Sequence, residues 1–190
     1  MTAKEGSKMA FNVTDFTGVI SSRGLASSNK FEVDIFFHNG NSTKEMNLMC
    51  DTAQIAGKNI QSTVDLQYGI RREIAYGAPT YDPLTLTFYC TENLAEKKLL
   101  DNWQQQMVKT SAGGNSNNGG TFDVGYYDDY AKNGKIIITK LSVTGETVYK
   151  HEYREAYPKT IASIDLSHGI SAGPMKVTAT FNYIYWKDVT

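Results

Sequence analysis

The chain has 190 residues, 41% of them hydrophobic and 21% charged, with a formal net charge of −1. That length suits one domain burying roughly 70% of its unfolded surface, with no need of disulfides or metals for stability. The balanced charge argues against a dedicated nucleic-acid binder or a binder of anionic membrane. No run of about 18 apolar residues offers a membrane span, and Met1 to Phe11 lacks the apolar stretch of a signal peptide.

Residues 1–29 are polar and small, with short apolar clusters at Ala10-Phe11 and Val19-Ile20, and read as an arm whose order depends on a neighbour. From Lys30 to Phe37 the side chains alternate, with Phe31, Val33, Ile35 and Phe37 on one face. Asn39-Gly40 then marks a turn before a strand over Glu45 to Cys50, which predicts a first hairpin. Thr63 to Tyr68 alternates again. Gly69 to Pro83 reads as a long connection carrying Arg71, Arg72, Tyr76 and Tyr81, and Leu84 to Cys90 is the next strand.

One helix is predicted to start at Asn93, with Glu96 answering the cap, and to end near Val108 or Lys109. Ala95, Leu99, Leu100, Trp103 and Met107 fall on one of its faces. A Gly- and Asn-rich insert over 111–121 follows, a solvated loop without the lysine of a phosphate loop. Strands are expected at Thr121–Gly125, Lys135–Val143 and Thr147–Tyr153, with turns at Asn133-Gly134 and Gly145-Glu146. At the end, Thr160–Leu166 and Met175–Trp186 form a hairpin whose second strand holds a period of two for its whole length, with Phe181, Tyr183 and Tyr185 on one face and Trp186 on the other. The expected fold is mainly β, a barrel or sandwich of about eight antiparallel strands with one flanking helix, in a domain over 30–190.

Chemistry is scarce. His38, His151 and His168 are far apart, lie in no metal-binding frame and read as surface or turn residues, so neither a metal nor a cofactor is expected. Ser167-His168 beside Asp165 has no nucleophile elbow, and Asp128-Asp129 among Tyr126, Tyr127 and Tyr130 lacks calcium-loop spacing. No catalytic residue is assigned. Cys50 and Cys90 lie in apolar strand-like runs and read as buried free thiols.

The order of these features over Lys30–Lys187 resembles the tail tube proteins of long contractile-tailed bacteriophages, which are related to type VI secretion tube proteins. The resemblance rests on Phe31-Glu32-Val33-Asp34-Ile35, the long basic and aromatic loop, the helix ending Leu100-Asp101-Asn102-Trp103-Gln104, and the stretches Tyr157-Pro158-Lys159-Thr160-Ile161 and Tyr183-Ile184-Tyr185-Trp186. It implies a structural virion protein, not an enzyme, assembled in the host cytoplasm. Hexameric rings with the sheet continued between subunits would stack into an inner tube.

The implied partners are a sheath outside, a tape measure protein and then viral DNA in the lumen, a baseplate hub or tube initiator, and a tail terminator. Tyr68, Arg71, Arg72, Tyr76, Tyr81 and Phe11 are the expected contacts between rings or subunits. Leu99, Leu100, Trp103 and Met107 would pack the helix, and Phe181, Tyr183, Tyr185 and Trp186 would pack the last strand and a subunit contact. The lumen is expected to be neutral to acidic, since cations on its wall would bind the passing polyanion. The alternatives are a type VI secretion-like tube protein or tube initiator, and a monomeric carbohydrate-binding β-sandwich using Tyr126, Tyr127, Tyr130, Asp128 and Asp129.

Overall fold

The computed structural model of the chain describes residues 12–66, 69–109, 123–169 and 173–189. Two four-stranded antiparallel sheets face each other. Sheet I runs in the order β1 (Phe31–Phe36), β10 (Lys135–Leu141), β11 (Thr147–Arg154), β14 (Tyr185–Asp188); sheet II runs β12 (Tyr157–Ile161), β13 (Lys176–Asn182), β7 (Leu84–Tyr89), β2 (Cys50–Ala53). Alternation decides which face each strand buries. Val33, Ile35, Ile136, Ile138 and Tyr153 from sheet I meet Leu84, Leu86, Phe88, Val177, Ala179 and Phe181 from sheet II in one core. At about 1.5–3 kcal/mol for each large apolar side chain withdrawn from water, this layer supplies most of the driving force for folding.

Helix α3 (Ala95–Met107) packs against β12 and sends Leu100 and Trp103 into that core. The Trp103 ring lies 5.2 Å from Phe37 and 6.2 Å from Phe181, and its Nε1 donates to Tyr130 O at 2.9 Å. Tyr130 belongs to the short helix α4 (Tyr127–Tyr130), so one indole ties both sheets and both helices together. Gln104 Nε2 donates to the carbonyls of Pro158 and Lys159 at the bulge of β12. Beyond α3, β8 (Val108–Lys109) pairs with β9 (Asp123–Val124).

The two main sheets hold eight strands, and short strands outside them bring the described total to fourteen. Several expectations are corrected. The first hairpin does not exist: Lys44–Leu48 is a short helix, α2, and β1 and β2 join different sheets. The Asn39-Gly40 turn is present, with Gly40 at φ 76°, but it only redirects the chain.

The cap of α3 lies one residue later than expected. Leu94 occupies the cap in the left-handed conformation, and Glu96, buried, accepts from Thr91 N and Thr91 Oγ1 at 2.9 and 3.0 Å; Asn93 has no part in it, and Ala95 is exposed. The final strand is not continuous, because it breaks at Tyr183-Ile184 and β14 crosses into sheet I. Its hairpin partner is Tyr157–Ile161, extended by Ala162 N donating to Thr178 O at 2.8 Å, and the strand ends there instead of running on to Leu166.

The N-terminal stretch contains helix α1 (Val13–Arg23), which the sequence reading did not foresee. None of its residues is buried. Residues 1–11 and the insert over 111–121 lie outside the described residues.

Candidate assembly surfaces

The stretch between β2 and β7 is a projecting two-stranded arm, not a loose connection. At its base β3 (Lys58–Asn59) pairs with β6 (Thr80–Tyr81), and further out β4 (Ser62–Asp65) pairs with β5 (Arg72–Ala75). Tyr76 N donates to Gln61 O and Asp82 N to Gly57 O, which continues the two rails between and below the pairs. With about 3.3 Å per residue over Lys58–Leu66, the arm reaches up to about 30 Å from the sandwich.

Every residue from Arg71 to Thr80 is exposed. The arm also presents apolar groups to solvent, with Ile60 63%, Leu66 68%, Ile70 64% and Tyr76 65% exposed. A two-stranded ribbon by itself is marginal in water, and this one carries several exposed apolar side chains.

The base of the arm is anchored by the C-terminal aromatics. Tyr183 OH donates to Asp82 O at 2.8 Å, the Tyr81 ring lies 5.8 Å from Tyr183 and 6.4 Å from Trp186, and Tyr153 OH accepts from Ala56 N at 3.1 Å. Burial pushes the Tyr183 and Tyr153 phenols above the ordinary tyrosine range.

Behind them His151 is buried, against the expectation of a surface or turn residue. It stacks on Trp186 at 4.3 Å between ring centroids, contacts Tyr149 OH through Nε2, and faces Tyr153 OH at 3.5 Å through Nδ1. Burial lowers its pKa, opposed by the nearby Asp188 carboxylate. The signal for this cluster was present: Tyr149-x-His151-x-Tyr153 puts three rings on one face of a strand.

The predicted contact residues therefore divide. Arg71, Arg72 and Tyr76 sit exposed on the outer arm, with Arg72 inside β5. Tyr81 is half-buried in the arm's base, and Phe11 and Tyr68 lie outside the described residues. Leu100, Trp103 and Phe181 are core residues, and Leu99 and Met107 are half-buried. Tyr183 and Trp186 buttress the arm, whereas Tyr185 points to the outer face of sheet I opposite Arg154. The twelve-residue alternation places Tyr185 inward and Trp186 outward, and the slip at Tyr183-Ile184 reverses both.

In the stretch weighed as a carbohydrate platform, Tyr126 is 83% exposed and Asp128 and Asp129 are exposed as well. Tyr127, Tyr130 and Tyr157 meet edge to face at 5.5–6.5 Å, and Asp128 pairs with Lys132 at 2.9 Å one helical turn away. Among the described residues no cluster of three or more His, Cys, Asp or Glu is arranged to hold a metal. Cys50 and Cys90 are free, half-buried thiols, and burial with the neighbouring Asp51 charge pushes Cys50 up to about 12.

A family model described as phage tail tube protein matches residues 20–189. No curated protein matches the chain. Among solved structures the fold is similar to a chain of the anti-feeding prophage baseplate, with TM-score 0.61, 14% identity, and coverage of 87% of this chain and 95% of that one. It is similar to a chain of the sheath/tube terminator of an extracellular contractile injection system, with TM-score 0.59, 11% identity, and coverage of 87% and 97%. The SPP1 tail tube is a third, with TM-score 0.51, 9% identity, and coverage of 86% and 78%.

Proposed function

From the premise that this chain belongs to the phage tail tube protein family, we propose that it builds the inner tube of a contractile phage tail, as hexameric rings stacked on one another around a channel for viral DNA. The role is structural. The observation that carries it is the arm: a ribbon up to about 30 Å long, with Ile60, Leu66, Ile70 and Tyr76 left exposed among the described residues, suits gripping another copy.

Arg71, Arg72 and Tyr76 make the contact between rings, with Phe11 and Tyr68 as further candidates. Residues 1–29 act as a second arm on the domain over 30–190. A head-to-tail interface that closes on rotation gives a ring, and a second surface stacks the rings into a filament. The tape measure protein and then DNA occupy the channel, the sheath lies outside, and a baseplate hub and a terminator close the two ends. Assembly takes place in the host cytoplasm.

Electron microscopy of the purified protein tests the reading. The wild type forms tubes, and Ile70→Asp with Tyr76→Ser leaves rings or short stacks. Tubes of undiminished length from that variant would remove the arm from the ring contact, and a wild type that never exceeds one subunit would remove the tube altogether.

A further inference from the structure

Helix α1 has an apolar side and buries none of it. Val13, Phe16, Val19 and Ile20 recur at helical spacing along one side, with Val13 63%, Phe16 51% and Val19 54% exposed. A helix of 11 residues is marginal in water unless its apolar side is covered. Its two charges sit at opposite ends, Asp15 in the first turn and Arg23 in the last, which places them about 12 Å apart along the axis.

Two hollows lie between β1 and β2, the edge strands of the two sheets, and Phe31 lines both. The larger, of about 520 Å³, is walled by Ile138 and Lys140 of β10, by Ala53 to Ile55, and by Ala26 to Ser28 of the segment that follows α1. The smaller, of about 300 Å³, is walled by Glu32 and Asp34 of β1, Leu48 of α2 and Cys50. No residue of α1 lines either one. Together they form a groove along β1.

The groove is charged in a definite order. Lys140, whose Nζ donates to the carbonyls of Lys30 and Leu141 at 2.9 and 2.7 Å, lies opposite Phe31 in register. Asp34 stands three residues further along β1, about 10 Å away, with Glu32 between them. Positive then negative along the groove matches negative then positive along α1, at nearly the same spacing.

Resting on the tube reading above, and deepening what it says of residues 1–29, we infer that α1 of one copy lies in this groove of the next copy. Val13 and Phe16 enter the larger hollow and Val19 and Ile20 the smaller, with Asp15 beside Lys140 and Arg23 beside Glu32 and Asp34. The helix is badly placed for its own groove, because only Gly24 and Leu25 separate it from Ala26, where the wall of the larger hollow begins. To enter there it would have to fold straight back over that wall. Every copy carries both the helix and the groove, and head-to-tail pairing of two different surfaces closes into a ring when the rotation allows.

A disulfide trap in assembled tubes tests this, in a chain whose Cys50 and Cys90 are replaced by alanine. Val13→Cys with Ile55→Cys probes the larger hollow, and Val19→Cys with Leu48→Cys the smaller; all four positions are exposed, so neither pair disturbs the core. Oxidation with copper phenanthroline is expected to turn most chains of each pair into dimers and higher multiples on a non-reducing gel. Ser21→Cys with Leu48→Cys, on the polar side of α1, stays monomeric. Monomers with both thiols consumed would place the helix in its own groove, and tubes that keep both pairs reduced would place it in neither; each result overturns the inference and leaves the tube standing. With the native cysteines kept, Asp15→Lys is expected to raise the protein concentration needed for tubes several-fold, and Lys140→Asp on the same chain to restore it. Assembly of Asp15→Lys indistinguishable from wild type would overturn the pairing. A wild type that forms no tube overturns both the inference and the reading it rests on.

Discussion

Among the described glycines, Gly134 is the one where an added methyl group meets the closest backbone contact. A Cβ there would lie 2.1 Å from Ala156 O, 3.0 Å from Trp103 Cζ2 and 3.1 Å from Ala131 O, and the nearest of these is backbone, which cannot rotate away. Gly134 N also donates to Ala131 O and Gly134 O accepts from Ala156 N, both at 2.9 Å, so the segment is held on both sides where α4 hands over to β10.

Relieving the clash requires a displacement of about 1 Å, with overpacking costs of about 1–3 kcal/mol and loss or weakening of two hydrogen bonds worth about 1 kcal/mol each. The lower backbone entropy of alanine in the unfolded chain returns up to about 1 kcal/mol. Gly134→Ala is therefore expected to lose about 3 kcal/mol, the net of these terms. That lowers the melting temperature by about 6–12 °C for a chain of this length. Thermal unfolding of the isolated protein followed by circular dichroism reads this, with Gly18→Ala as the control: that glycine lies in the exposed helix α1 with nothing within 4 Å of the added carbon. A Gly134→Ala protein melting within about 2 °C of the wild type would show that the close approach of Ala156 is not a constraint on the fold.

Trp103→Ala empties the junction among Phe37, Phe181 and α4 and strands the Tyr130 carbonyl, so urea denaturation is expected to show a loss of about 3–5 kcal/mol; a loss below about 1 kcal/mol would deny the indole its central place. His151 sets a pH dependence. Its folded-state pKa lies below the unfolded value near 6.5, so the unfolded chain binds the extra proton first, and stability present above about pH 6.5 falls as the pH drops through that value toward the folded pKa. Melting at pH 7.5 and 5.5 should show a larger drop for the wild type than for His151→Phe, and equal drops would acquit the histidine. Asp188 and the phenols of Tyr149 and Tyr153 surround that ring, and Asp188 is the group that moderates the shift.

Alternation along single strands was legible in the sequence and was right within the unbroken strands, though it put Tyr185 and Trp186 on the wrong faces. Val33, Ile35 and Phe37 in the first strand and Val177, Ala179 and Phe181 near the end are buried as their period of two requires. The apolar stripe of α3 likewise placed Leu100 and Trp103 in the core. Pairing was not legible, because alternation assigns a face and not a neighbour: β1 and β2, adjacent in sequence, are separated into different sheets.

The break at Tyr183-Ile184 was hidden for a related reason. A strand that leaves one sheet and enters the other still faces the same core, so the pattern runs on through the crossing while its phase slips by one residue. The arm was read as a connection since Gly69, Gly77 and Pro79 punctuate it, although Arg72–Ala75 forms a strand between them. The aromatic contacts that hold its base come from Tyr153, Tyr183 and Trp186, far along the chain, and no local pattern announces contacts at that separation.

The central claim is that these sheets are completed by identical copies, and a cryo-EM reconstruction of the purified assembly addresses it most directly. The account predicts a hollow cylinder of stacked rings in which backbone hydrogen bonds join a sheet of each subunit to its neighbour. A particle that remains at 21.1 kDa, or rings whose subunits touch only through side chains with no shared sheet, would contradict it.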